Sequence, residues 1–136
     1  MSKPVLEIEN LSVSFMTRTA EVPAVMDFSM EVNEGDAMGL VGESGCGKST
    51  VALAIMNYLG GNGKIVGGTI KYRGRDMATF SEKELENIRG SEIAMIYQEP
   101  MASLNPAMRV SSQLIEVPIL HEKVSKEEAW NRSVEM

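Results

Sequence analysis

Nine consecutive residues, Gly42-Glu43-Ser44-Gly45-Cys46-Gly47-Lys48-Ser49-Thr50, have the types and spacing to hold a chain of phosphates. They fit the pattern G-x-x-x-x-G-K-S/T. Glycines let the backbone take positive φ and come close to a phosphate. Successive N–H groups then converge on the anion, helped by the positive end of a following helix. In such a loop Lys48 brings a point charge to the β- and γ-phosphates, and the Ser49 hydroxyl sits on Mg²⁺. Thr50 adds a donor near the α-phosphate. The expected ligand is a nucleoside triphosphate with Mg²⁺. The plainer alternative is a glycine turn that happens to precede a helix.

The flanking elements favour the phosphate site. Ala37-Met38-Gly39-Leu40-Val41 is a short apolar run suited to a buried strand. Val51-Ala52-Leu53-Ala54-Ile55-Met56 can continue a helix that Gly60-Gly61-Asn62-Gly63 ends. Upstream, Leu6, Ile8, Leu11, Val13 and Phe15 alternate as a strand, with one slip at Asn10. Ala24 to Val32 predicts another, through Val25 and then Phe28, Met30 and Val32. Asn33-Glu34-Gly35-Asp36 is a turn joining it to the strand before the loop.

Downstream, Gly68 to Tyr72 predicts a short strand. Ser81-Glu82-Lys83-Glu84 is a capping box opening a helix to about Arg89. Ile93-Ala94-Met95-Ile96-Tyr97 predicts a second buried strand, stopped at Pro100. Met101 to Ala107 is expected to be loop. Val110 to His121 is expected to be helical and kinked or split at Pro118, with a further helix from Ser125.

Composition narrows the class. The 136 residues suffice for one ordinary domain, and 43% apolar with 24% charged residues is the balance of a globular protein. A net charge of −6 argues against nucleic acid as the main partner. Lys64, Lys71, Arg73 and Arg75 are expected to be a solvated rim. The start lacks the apolar core of a signal peptide, and no apolar run approaches the ~18 residues of a membrane span. Cys46 is the one cysteine, which excludes an internal disulfide and suits a reducing cytoplasm. A thiol at a helix N-terminus is also expected to be reactive, although a small residue in a tight loop is the plainer role.

Gln98 makes the pattern specific. A glutamine at a strand end, some fifty residues after the loop lysine, can reach Mg²⁺ and an attacking water. With it, the chain resembles the ATP-binding subunit of ABC transporters. Gly42 to Thr50 matches the Walker A motif and Gln98 the Q-loop glutamine. Phe15 falls where that family keeps an aromatic residue that stacks on adenine; Phe replaces the commoner Tyr, and Thr17 to Pro23 stretch the spacing. Val41 to Gly45, Ile96 to Pro106, and Gln113-Leu114-Ile115-Glu116 with His121 resemble the oligopeptide and dipeptide permease group. Close relatives in that group import nickel or other solutes.

The resemblance implies an α/β P-loop NTPase core of ABC type, with an N-terminal antiparallel β subdomain, the start of a helical subdomain and an incomplete sheet. Residues 1–109 would be the β subdomain and core through the Q-loop, and 110–136 the start of the helical subdomain. It implies ATP and Mg²⁺ as cofactors, Lys48 and Gln98 as catalytic groups, and Ser49 and Gln98 as metal ligands. The implied partners are permease subunits, docking near Gln98 to Pro106 and on the helical subdomain, and a second, identical or paralogous ATP-binding subunit. The implied place is the cytoplasmic face of the cell membrane.

After Gln98 there is no Leu-Ser-Gly-Gly-Gln signature, no strand ending in Asp-Glu and no switch histidine; His121 reads as an ordinary helix residue. The expectation is an N-terminal fragment that binds nucleotide, hydrolyses it negligibly and self-associates through exposed sheet edges. Three other classes fit parts of the pattern. They are a soluble non-transport ABC-type ATPase, another P-loop class such as a kinase or GTPase, and a non-catalytic nucleotide-binding module. The compact spacing between the loop and Gln98 disfavours the first of these, and the Gln98 to Pro106 stretch the second.

Overall fold

The computed structural model describes residues 4–136. They divide into two compact units, Met1–Leu85 and Glu86–Met136. In the first, alternating apolar residues build three long strands, β1 (Leu6–Met16), β2 (Glu21–Val32) and β3 (Gly63–Tyr72), with a short β4 (Arg75–Asp76). They form an antiparallel sheet in the order β2-β1-β3-β4. Helix α1 (Lys48–Ile55) intervenes in sequence between β2 and β3. Helix α2 (Glu82–Ile88) carries the chain into the second unit, which holds α3 (Val110–Val117) and α4 (Lys126–Glu135).

The slip at Asn10 is a bulge. Ile8 pairs with Met30, but the register shifts before Leu11 meets Phe28 and again before Val13 meets Val25. Asn10 takes φ 50° there, and its neighbour Asp27 on β2 takes φ 53°. The backbone groups freed by the bulge are answered by side chains. Asn10 N–H donates to Ser29 Oγ at 2.9 Å, and Asp27 N–H donates to Ser12 Oγ at 3.1 Å. On β3, Gly68 slips at the same level with φ 78°, and a Cβ there would collide with the carbonyls of Glu9 and Asn10. One extra residue moves side chains to the other face. Ile8, Leu11 and Val13 are therefore all buried despite their odd and even numbers.

Several expected elements form. The Asn33–Asp36 turn closes with Asp36 N–H on the Asn33 carbonyl at 3.1 Å and Asn33 N–H on Asp36 Oδ2 at 2.9 Å. The capping box is complete: Ser81 N–H donates to Glu84 Oε2 at 2.8 Å, and Ser81 Oγ accepts from Glu84 N–H at 3.4 Å. Ser125 caps α4 by accepting from Glu128 N–H at 3.1 Å. Pro118 ends α3 and starts a π-helical turn, Pro118–Glu122.

Other elements depart from expectation. Helix α1 stops at Ile55, with Asn57 at φ 48° turning the chain before the glycines. Residues 101–107, expected as loop, begin with a 3-10 turn, Pro100–Ser103. The two buried strands expected at Ala37–Val41 and Ile93–Tyr97 do not form ladders among the described residues. Only Ile93 makes a bridge, to Arg89. Val41 is 90% exposed and Ile96 98% exposed. The physical reason is that a strand's backbone groups need a neighbour on at least one side, and an apolar sequence does not supply one.

The basic residues on the rim are locally occupied. Lys71 Nζ lies 3.1 Å from Glu9 Oε1, and the hydrogen bond to Glu9 holds its ammonium above the ordinary pKa. Arg75 stacks 4.0 Å over the Phe80 ring and bonds Glu84 Oε1 at 2.7 Å. Such exposed pairs add little stability. They do set the titration of Glu84, whose pKa the Arg75 bond, then the Ser81 backbone and hydroxyl bonds, lower to about 2. A depressed carboxyl stabilises the fold above its ordinary value of 4.5, and that contribution is lost as pH falls toward about 2. A carbon-detected NMR titration of Glu84 should therefore show a midpoint near 2, and Arg75→Ala should raise it. A wild-type midpoint near 4.5 would mean that the cap is open in solution.

Candidate functional site

The glycine loop is built against β2. Gly47 sits at the N-cap of α1 with φ 94°, and no side chain caps the helix. A Cβ on Gly47 would stand 2.5 Å from the Ala24 carbonyl oxygen and 3.2 Å from Val25 Cγ2. Only glycine allows both that φ and that approach. Val25 is buried, as are Val51 and Ala54 on α1, so the helix start is anchored on its inner side. The outer side, Gly42 to Cys46 and Ser49, is exposed.

Inside the loop the Lys48 ammonium turns back on its own backbone. Nζ donates to the Gly42 carbonyl at 2.8 Å and the Glu43 carbonyl at 2.6 Å, and lies 3.5 Å from Cys46 Sγ. Gly45 takes φ 81° at the tip. A Cβ on Gly42 would come 2.5 Å from Cys46 Sγ, so that glycine makes room for the thiol. The first N–H groups of α1 have no intrahelical acceptor, and no acidic residue occupies its first turn. The loop, exposed from Gly42 to Cys46, thus brings one lysine beside a helix N-terminus whose first N–H groups have no acceptor within the helix. Chemically it suits a polyanion such as a phosphate chain.

Phe15 belongs to the same unit. It pairs with Val22 on β2 and Gly63 on β3, and its ring lies against Gly63. The extra residues between Phe15 and the loop are taken up by a hairpin, where Thr17 Oγ1 donates to the Ala20 carbonyl at 2.7 Å. Phe15 and Gly47 thus address one stretch of β2, at Val22 and Ala24. Gln98 lies in the second unit, exposed, just before the Pro100–Ser103 turn. His121 has a packing role: its Nε2 would be 2.9 Å from a Cβ on Gly90.

Among the described residues no group of three or more His, Cys, Asp or Glu could hold a metal. The exposed Ser49 hydroxyl at the start of α1 is a ligand type that Mg²⁺ accepts when phosphates and water complete its shell. No helix is long and apolar enough to cross a membrane. Two local features, one in each unit, escaped the sequence pattern. Ala24–Val25 buttress Gly47, and the Gln113 side chain bonds Asn105 and Met108. Neither leaves a periodic signal; a glutamine one turn inside a helix that lacks an N-cap side chain is the only hint of the second.

The chain is similar to several known proteins. The family model for ABC transporters matches residues 25–136. The oligopeptide transport ATP-binding protein of Salmonella typhimurium is 47% identical over 131 residues, covering 96% of this chain and 39% of that protein. The Bacillus subtilis protein of the same description is 45% identical over 132 residues, covering 96% and 37%. A dipeptide transport ATP-binding protein of Lactococcus lactis is 39% identical over 133 residues, covering 97% and 38%. The chain thus spans about 40% of the length of these relatives. Among solved structures, a dimeric ATP-binding cassette in a post-hydrolysis state with ADP and Pi superposes with TM-score 0.79 at 20% identity. That match covers 96% of this chain and 54% of the other, and it shows the fold to be that of an ABC-type cassette.

Gly47→Ala tests how the loop is seated. The added Cβ meets Ala24 oxygen at a φ that disfavours it, so the variant should lose about 2 kcal/mol or more in urea unfolding. Unchanged stability, with unchanged Ala24 and Val25 amide shifts, would show that the loop does not rest on β2.

Proposed function

Because this chain belongs to the ABC transporter family, we propose that it forms the nucleotide-binding part of an importer of peptides. The observation that carries this reading is the cradle at Gly42–Thr50, with Lys48 turned into it at the start of α1. ATP would enter phosphates first. Lys48 would then exchange two carbonyl contacts for the β- and γ-phosphate oxygens, while the loop N–H groups bind the same chain. Mg²⁺ would supply charge neutralisation across the phosphates; Ser49 and Gln98 are the residues that would hold it. Phe15 would stack on the adenine.

Peptides are favoured over nickel as cargo because the relatives described above carry oligopeptide and dipeptide descriptions. By the same reading the chain works at the cytoplasmic face of the cell membrane. It would pair with a second ATP-binding subunit and dock permease subunits through Gln98 to Pro106 and residues 110–136. Met101, Leu104 and Met108 are exposed there, and methionine adapts to a partner's shape. The 136 residues provide a phosphate cradle but no carboxylate base at a strand end after Gln98. We therefore expect them to bind nucleotide and to hydrolyse it negligibly.

A titration with a fluorescent ATP analogue and Mg²⁺ should saturate for this chain. Lys48→Ala should weaken binding at least tenfold, which is ~1.4 kcal/mol for a lost charge-assisted contact. Equal binding by the variant, or none by the wild type, would remove the phosphate-site assignment. Independently, a small alkylating reagent should label the exposed Cys46, and saturating Mg-ATP should slow that labelling. Labelling rates that ignore nucleotide would place ATP elsewhere.

A further inference from the structure

Gln113 lies one turn inside α3 and reaches back to the loop before it. Asn105 N–H donates to its Oε1 at 2.9 Å. Its Nε2 donates to the Asn105 carbonyl at 3.0 Å and to the Met108 carbonyl at 3.1 Å. The amide orientation follows from the partners: a main-chain N–H needs the oxygen, and two carbonyls need the nitrogen. Within the same turn, Ala107 N–H donates to Asn105 Oδ1 at 3.0 Å and Met108 N–H to the Asn105 carbonyl at 3.1 Å. The N-cap of α3, Arg109, contributes no side-chain bond. In the stretch before Asn105, Leu104 N–H donates to the Met101 carbonyl at 3.3 Å.

We propose that Gln113 is a positioning residue that fastens the Asn105–Met108 turn to α3. The consequence is mechanical: whatever binds at Asn105–Met108 moves with α3. The functional meaning rests on the reading of Gln98 to Pro106 as the contact segment; the clamp itself does not.

Residue-resolved amide exchange on the 136-residue chain tests it, with wild type, Gln113→Ala and Gln113→Glu compared as protection factors. In Gln113→Ala the protection of Asn105 should fall about tenfold or more, while Ile115 and the other α3 amides keep theirs. In Gln113→Glu at pH 7 a carboxylate can still accept from Asn105 N–H but repels the Asn105 and Met108 carbonyls, so protection of the turn, read at Ala107 and Met108 N–H, should fall. Near pH 4 the protonated carboxyl again offers one acceptor and one donor, and protection should return toward the wild-type value. A residue that merely supports α3 would show no such pH-dependent rescue. Wild-type protection of Asn105 in the alanine variant, or no pH dependence in the glutamate variant, overturns the clamp. Should α3 melt in the alanine variant, the glutamate variant alone decides. Failure of the wild type to bind Mg-ATP analogue would count against the phosphate site and leave these exchange results standing.

Discussion

The shared slip of three adjacent strands is the constraint on which the site depends. In a regular strand Val25 and Phe28 would face opposite ways. The bulge at Asp27 turns Val25 inward, where it is buried, while Met26 points out to solvent. That inward turn sets Val25 and the Ala24 carbonyl beneath Gly47. The seat of the phosphate loop is therefore made by a defect in the sheet. The defect is held by Ser12, Ser29 and Gly68. Core packing and site geometry are linked through a few hydrogen bonds on the antiparallel arm.

Lys48 shows how the loop keeps its shape. An ammonium at the start of a helix sits near like-signed partial charge, which is unfavourable unless acceptors surround it. The Gly42 and Glu43 carbonyls provide those acceptors, and the same contacts tie the two ends of the loop together.

How much of this was legible in the sequence follows from how local each signal is. The glycine turn into α1 at Gly47, the Ser81–Glu84 box, the Ser125 cap and the break at Pro118 are each written within a few residues, and each forms. The slip at Asn10 showed as a broken alternation, and its cause is a bulge. Ala37–Val41 and Ile93–Tyr97 read as buried strands because apolar runs do. Pairing is non-local, and their sequences do not say which neighbour completes the ladder. The Gln113 contacts were invisible for the opposite reason: a side chain bonding main-chain groups demands little of the residues it bonds.

The unpaired run from Ala37 to Val41 has a consequence of its own. Its N–H and C=O groups are free of any ladder among the described residues, and Met38, Leu40 and Val41 are exposed. A run of exposed apolar side chains outside any ladder is the kind of segment that proteases and chaperones grip. The segment that leads to the glycine loop is therefore also an address that cellular quality control can read.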